Sequence, residues 1–227
     1  MIGLYRCNES NCYLVVWFKF DTLWNGLLIN FNILLMTNEL VLFTMNLCKK
    51  NMLDNPIKFR SSQKSDISNL VELINSAYRL QQGQSWTSEA DIVSGARINA
   101  QQLRNALAQD NFQLFVAELE NEVVACIGLT FHDSEVEIGT FCIAPHFQNQ
   151  GLGKIVLEYA ERVVITDYKN ITTLVMWVLS IRSELIAYYE RRGYVQTGVM
   201  DDYPLDANVG KPIVDLHLVE MRKVDFN

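Results

Sequence analysis

One short stretch gathers groups that can hold an anion: Gln148-Asn149-Gln150-Gly151-Leu152-Gly153-Lys154. It follows an apolar run that ends at Pro145, and a helical pattern starts at once behind it. A helix start offers about four N–H groups without partners and roughly half a positive charge. Glycines let an anionic group approach that backbone closely, and Lys154 can add charge. The pattern is neither the G-x-x-x-x-G-K-[ST] phosphate loop nor the dinucleotide G-x-G-x-x-G. Taken alone, Gly-x-Gly also serves as a plain glycine-rich turn. Neither H-E-x-x-H nor G-x-S-x-G occurs, which removes zinc hydrolysis and elbow-serine hydrolysis. The cysteines (Cys7, Cys12, Cys48, Cys126, Cys142) are odd in number and form no C-x-x-C pair. His132, His146 and His217 are scattered. No metal site and no disulfide framework is therefore expected, and the usage fits a reducing compartment.

The elements around this turn follow from periodicity. Ile67, Leu70, Val71, Ile74 and Tyr78 fall at helical spacing behind Ser65-Asp66. Ser88-Glu89-Ala90-Asp91 has capping-box spacing and predicts a second helix. A third is expected over Ala100 to Gln109. The run from Phe112 to Pro145 alternates as three antiparallel strands, with turns near Glu120-Asn121 and His132-Asp133-Ser134. In the third strand, alternation puts Glu135, Glu137 and Gly139 on one face and Val136, Ile138 and Thr140 on the other. A helix over Gly151 to Ile165 carries Leu152, Ile155, Val156, Tyr159 and Val163 on one side. Residues 171–179 form an unbroken apolar strand, which belongs in the middle of a sheet. Residues 182–194 form a helix ending at Gly193, and two strands close the chain, with Asp201, Asp202 and Asp206 in the turn between them. The expected fold is α+β, a mixed but mostly antiparallel sheet of six to seven strands with helices on both faces.

Residues 1–51 differ from the rest: they hold eight Asn and no Ala, Pro, Gln or His. The apolar window 27–47 is long enough to span a bilayer. However, Asn30, Asn32, Thr37, Asn38 and Glu39 crowd its middle, and a central Glu alone costs about 2–3 kcal/mol on insertion. Three readings stand: a membrane anchor through residues 27–47, an extra cytosolic segment, or a stretch upstream of a true start at Met52. The expected domain covers residues 56–224 and the expected location is cytoplasmic, with membrane anchoring through the N-terminal segment as the alternative. The net charge of −7 argues against a nucleic-acid partner and suits a cationic or amine one.

Two signatures carry a family resemblance. Gln148 to Gly153 resembles the Q/R-x-x-G-x-G/A signature of the GNAT superfamily of N-acetyltransferases, and it follows an apolar strand and Pro145, as in that family. Downstream, Ala187-Tyr188-Tyr189-Glu190-Arg191-Arg192-Gly193-Tyr194 looks like the second signature, an aromatic-Tyr-x-x-x-Gly-aromatic helix end. The resemblance covers roughly Pro56 to Lys223. Residues 85–98, 178–198 and 215–223 look like one bacterial and fungal subgroup of unassigned substrate.

The resemblance implies a GNAT fold and transfer of an acetyl group from acetyl-CoA to a primary amine. Backbone N–H groups of Asn149 to Lys154 would hold the pyrophosphate. The edge of Phe141-Cys142-Ile143 would line up the pantetheine arm. An alkylammonium, with a pKa near about 10, must lose a proton before it attacks. Glu137, fourteen residues before Gly151, stands where some members carry a general-base glutamate; a solvent-facing strand carboxylate is the other reading. Tyr189 matches the general-acid tyrosine, four residues before Gly193. Arg182 replaces the Asn that many members carry seven residues before that tyrosine, and could reach a phosphate. Trp86, Thr87 and Glu89 are expected beside the acceptor. Direct transfer is expected rather than a covalent acetyl-enzyme, with a small-molecule or peptide amine as acceptor and a monomer or homodimer as the assembly. The alternative is a non-catalytic acyl-CoA-binding sensor of the same fold.

Overall fold

The computed structural model describes residues 56–80 and 85–224, and also the backbone pairing of residues 7–8 with 11–12. The chain divides into two units, Met1–Thr44 and Met45–Asn227. In the first, β1 (Cys7–Asn8) pairs antiparallel with β2 (Asn11–Cys12). The apolar window 27–47 and Met52 lie outside the described residues. Among the described residues, no helix is long and apolar enough to cross a membrane.

In the second unit, β3 (Lys58–Ser61) is followed by α1 (Ile67–Arg79), the short β4 (Val93–Ser94) and α2 (Ala100–Leu107). The meander is β5 (Phe112–Leu119), β6 (Glu122–Phe131) and β7 (Glu135–Ile143). Then come α3 (Leu152–Asp167), β8 (Thr173–Leu179), α4 (Ser183–Glu190), β9 (Val195–Asp202), β10 (Lys211–Pro212) and β11 (His217–Val224). Seven strands form one sheet in the order β3-β5-β6-β7-β8-β11-β9, while β4 and β10 pair separately. Every pairing in the large sheet is antiparallel except β7 with β8. This is the α+β architecture that the periodicity predicts.

The helices cover both faces. Ile67, Leu70, Leu73, Ile74 and Ala77 of α1 pack with Leu103 of α2 against Val116, Cys126 and Cys142. On the other face, Leu152, Val156, Leu157, Ala160 and Val164 of α3 pack with Ile186 of α4 on Val136, Ile138, Leu174 and Met176. In both long helices the buried positions recur at three- and four-residue spacing, so one stripe meets the sheet. β8 is buried on both faces apart from half-buried Trp177, as an unbroken apolar run in a sheet interior requires.

The helix expected at Ser88 does not form. The Ser88 hydroxyl accepts from the Ala90 N–H (3.2 Å) and donates to the Leu80 carbonyl, while the Glu89 carboxylate is taken by Arg79 (2.6 Å); no hydrogen bond from Asp91 back to the Ser88 N–H completes the box among the described residues. One turn closes, with the Val93 N–H donating to the Glu89 carbonyl at 2.8 Å; the backbone then enters β4 and pairs with β10. The capping box sits instead at α2. There Asn99 Oδ1 accepts from the N–H of Gln101 and Gln102, and Gln102 Oε1 accepts from the Asn99 N–H. That helix stops at Leu107 rather than Gln109. Asp201 and Asp202 lie in β9, not in a turn; the pairing with β11 runs on through both.

Candidate active site

The sheet is open at its centre. β8 pairs with β7 only at Glu135↔Thr173, Val136↔Leu174 and Glu137↔Val175. Both strands continue, to Ile143 and Leu179, and their facing backbone edges are left without strand partners. On its other side β7 stays on β6, with a bulge: Gly128 faces Gly139 and Cys126 faces Cys142, so Thr140 and Phe141 share one partner position. Thr140 takes φ 46° there. An extra residue reverses the alternation of a strand. Val136 and Ile138 face α3, and beyond the bulge Ile143 does, while Cys142 and Ala144 face α1. The predicted alternation therefore holds to Gly139 and fails at Thr140. Cys142 is buried, with its Sγ 3.4 Å from that of Cys126, inside the core beneath α1.

A cavity of about 320 Å³ lies where β7 meets α3. Phe141, Cys142 and Ile143 line it from the strand, and Gln148, Asn149, Gly151, Gly153 and Lys154 from the turn. Asn149 and Gly151 adopt φ 59° and 88°, which sets the turn directly on the helix start. Gly151 is the N-cap and supplies no side-chain cap, so the first N–H groups of α3 are left for a ligand or water. A Cβ at Gly153 would stand 3.1 Å from the Tyr188 hydroxyl. Among the described residues that hydroxyl is buried without a hydrogen-bond partner; burial pushes its pKa up, and the nearby Arg192 offsets this in part. The Arg192 guanidinium lies 3.4 Å from the Tyr188 ring centre, and Lys154, Arg191 and Arg192 make this cavity basic in an acidic chain. Gln148 acts as a clamp. Its Oε1 accepts from the Trp86 N–H (2.5 Å), and its Nε2 donates to the Ile143 carbonyl and the Ser85 hydroxyl (3.0 Å each). Gln150 Nε2 donates to the His146 carbonyl, and Leu152 anchors the helix start in the core.

A second cavity, of about 300 Å³, borders the same gap. Glu137 to Phe141, Met176 to Leu179, and Tyr189 line it. Glu137 is half-buried; desolvation raises its carboxyl pKa, and His132 offsets this in part. Glu135 instead pairs with Arg222 at 2.5 Å. The Tyr189 ring is buried, edge-on to Tyr188 (5.2 Å) and Tyr194 (6.0 Å). No described residue hydrogen-bonds its hydroxyl, and desolvation holds the phenol well above its usual pKa. The two cavities share Tyr78, Phe141, Leu185 and Tyr189 in their walls. A donor in one and an acceptor in the other would meet at Tyr189.

Several side chains take other places than the sequence suggests. Arg182 lines the second cavity, not the first. It is buried and donates to the carbonyls of Trp86 (2.9 Å), Ser88 (3.1 Å) and Thr87 (3.3 Å), and it pairs with Glu184. Trp86 and Thr87 line the basic cavity, and only Glu89 of that trio reaches the other one. Sequence reasoning missed Arg97 and Tyr203 and gave Tyr78 only a helix-face role. Tyr78 donates from its hydroxyl to the Phe141 carbonyl at 2.8 Å and so fixes the bulged strand. An aromatic with a polar tip on an otherwise apolar helix face was its one sequence signal.

A seven-stranded sheet opened between its two parallel strands, over a helix start with free N–H groups, is the architecture of the N-acetyltransferase fold. The profile of the Acetyltransferase (GNAT) family matches residues 70–194, more than half of the chain, and the chain belongs to that family. An uncharacterised N-acetyltransferase of Chlorobaculum tepidum is 28% identical over 81 residues, 35% of this chain and 48% of that protein. The chain thus spans about half the length of this curated relative. The ribosomal-protein-S18-alanine N-acetyltransferase of Escherichia coli superposes with a TM-score of 0.54 at 16% identity, over 74% of this chain and 93% of that one. A GNAT family acetyltransferase of Elizabethkingia anophelis with acetyl-CoA bound gives 0.51 at 17%, over 74% and 97%. These two structures share the fold.

Proposed function

We propose that the chain transfers the acetyl group of acetyl-CoA directly to a primary amine. The observation that carries this is the pair of cavities with Tyr189 in the walls of both, one basic and one lined by Glu137, which has no ion-pair partner among the described residues. In this reading the first turn of α3, with Lys154, Arg191 and Arg192, takes the phosphates, and the open edge of Phe141 to Ile143 takes the pantetheine amides. The relative with bound acetyl-CoA and the stretches that look like the bacterial and fungal subgroup support the choice of donor and family branch.

Glu137, directly or through water, accepts a proton from the incoming ammonium. The amine nitrogen attacks the thioester carbon; the C–N bond forms and the C–S bond breaks. Backbone N–H groups along the open strand edge stabilise the oxyanion. Tyr189 gives its proton to the departing sulfur and regains one from the acetylated nitrogen through water. The products are the amide, the free thiol and one proton released to solvent. Cys142 is turned into the α1 core, which favours direct transfer over an acetylated cysteine.

Titration calorimetry of acetyl-CoA into the full chain tests the reading, with Gly151→Asp as the control. The residue is in the left-handed region at the N-cap, so the change adds strain, bulk and negative charge to the cradle. Binding that Gly151→Asp abolishes supports the reading. A folded chain that does not bind acetyl-CoA overturns it.

A further inference from the structure

Arg97 lines the second cavity, and among the described residues it is the arginine there that is in no ion pair. Arg79, beside the cavity, is fully engaged: it pairs with Glu89 and donates to the carbonyls of Gly95 and Val209, each at 2.8 Å. Arg182 is occupied by three carbonyls and Glu184. Arg97 is half-buried and lines the cavity, with its guanidinium carbon 5.5 Å from the centre of the Tyr78 ring. Among the described residues, no carboxylate or carbonyl accepts a hydrogen bond from that guanidinium; only the backbone N–H of Arg97 is bonded, to Asn75. A guanidinium carries five donors in a fixed fork that matches a carboxylate. Half-buried and without an ion-pair partner among the described residues, it has the chemistry to hold an anion.

Glu137 lines the same cavity, equally without an ion-pair partner among the described residues. Tyr78 ties the two together: its ring lies beneath Arg97, and its hydroxyl is fixed to the Phe141 carbonyl on the strand that carries Glu137. Asp201 lines the cavity as well, so among the described residues it offers one cation outside any ion pair, Arg97, and two such carboxylates, Glu137 and Asp201, the first tied to Arg97 through Tyr78. At about 300 Å³ it lies at the small end of ligand sites.

We infer that the acceptor is a zwitterion of amino-acid type, its carboxylate held by Arg97 and its amine presented to Glu137 and the thioester. This rests on the acetyltransferase reading above and narrows its acceptor. A polyamine could set its cations against Glu137 and Asp201, but it would bring no anion to Arg97. A peptide N-terminus has no carboxylate beside its amine, so it would leave the guanidinium unpaired.

The test uses the full chain, with calorimetric binding and initial rates of thiol release. The probes are the standard L-amino acids, their α-carboxamides and spermidine. At least one amino acid is expected to react, with a kcat/KM about 10–100-fold above that of its own carboxamide, the range of a charge-assisted pair. Arg97→Gln should collapse that ratio to within about threefold by raising KM for the acid, and Arg97→Lys should restore part of it. Carboxamides as good as the acids, or a preference for spermidine, would overturn the inference while leaving acetyl transfer intact. Acetyl-CoA that binds while every amino acid neither binds nor reacts overturns the acceptor class alone. If acetyl-CoA itself does not bind, the parent reading falls. Amino-acid binding that depends on Arg97 would then still support the anion subsite, and its absence would overturn that as well.

Discussion

Replacing Tyr189 with phenylalanine removes one oxygen and leaves the packing in place. The ring is 8% exposed and keeps its edge contacts with Tyr188 and Tyr194. The hydroxyl has no partner among the described residues, so no hydrogen bond is lost, and the stability change should stay within about 0.5 kcal/mol. The rate effect is separate. A positioned general acid contributes about 10²–10⁴-fold. A thiol with a pKa near about 8.5 leaves more readily than an alkoxide, which places Tyr189→Phe at the low end. A fall in kcat of about 10–100-fold is expected, or about 1.4–2.7 kcal/mol in barrier. Because burial holds the phenol well above its usual pKa, it stays protonated through neutral pH, and the deficit should be constant from about pH 6 to 9. The assay is initial-rate release of the CoA thiol, with acetyl-CoA affinity measured in parallel. A kcat within twofold of the parent refutes the proton-donor role. A matching loss of acetyl-CoA affinity would instead make Tyr189 a wall of the donor cavity.

Glu137→Gln should lower kcat/KM by about 10²-fold and abolish the acidic limb of its pH profile. Desolvation raises this carboxyl pKa, so the parent's acidic limb should lie above the ordinary glutamate range, with activity rising as the proton leaves. A group whose folded pKa is raised contributes stability below its unfolded pKa and loses it as pH rises through the folded one. The Gln variant should therefore gain stability at neutral pH relative to the parent; equal urea midpoints at pH 7 would contradict the burial. Arg182→Met should cost about 2–4 kcal/mol, because it strands the carbonyls of Trp86, Thr87 and Ser88 and the Glu184 carboxylate. A loss under about 1 kcal/mol in urea denaturation would show that Arg182 is no latch for that segment.

Much of the frame was legible because it rests on local pattern. The stripes of α1 and α3, the meander and the unbroken apolar β8 each follow from period and composition. What escaped was decided by contacts distant in sequence. Ser88 to Asp91 have the spacing of a capping box, and Ser88 does accept from the Ala90 N–H, yet the turn is tied to Leu80 and Arg79 and passes into the pairing of β4 with β10. The bulge at Thr140 answers to Gly128 and Gly139 facing each other across two strands, which no alternation count reveals. Gln148 was legible as a residue type but not as a clamp, since its partners Trp86 and Ser85 lie more than sixty residues upstream. Arg97 carries no local signal at all. It stands out only once every neighbouring arginine is seen to be paired.

The bulge in β7 has a consequence for how such a protein can diverge. Glu137 to Phe141 line one cavity and Phe141 to Ile143 the other, so within the strand a single residue belongs to both. The irregularity sits at that hand-over, and each half of the strand faces its own surroundings with its own parity. On the proposed reading, changes upstream of Phe141 would alter the fit of the acceptor while the downstream half goes on meeting the donor. The two halves could then be altered almost independently, the choice of amine being exchanged without disturbing the binding of acetyl-CoA.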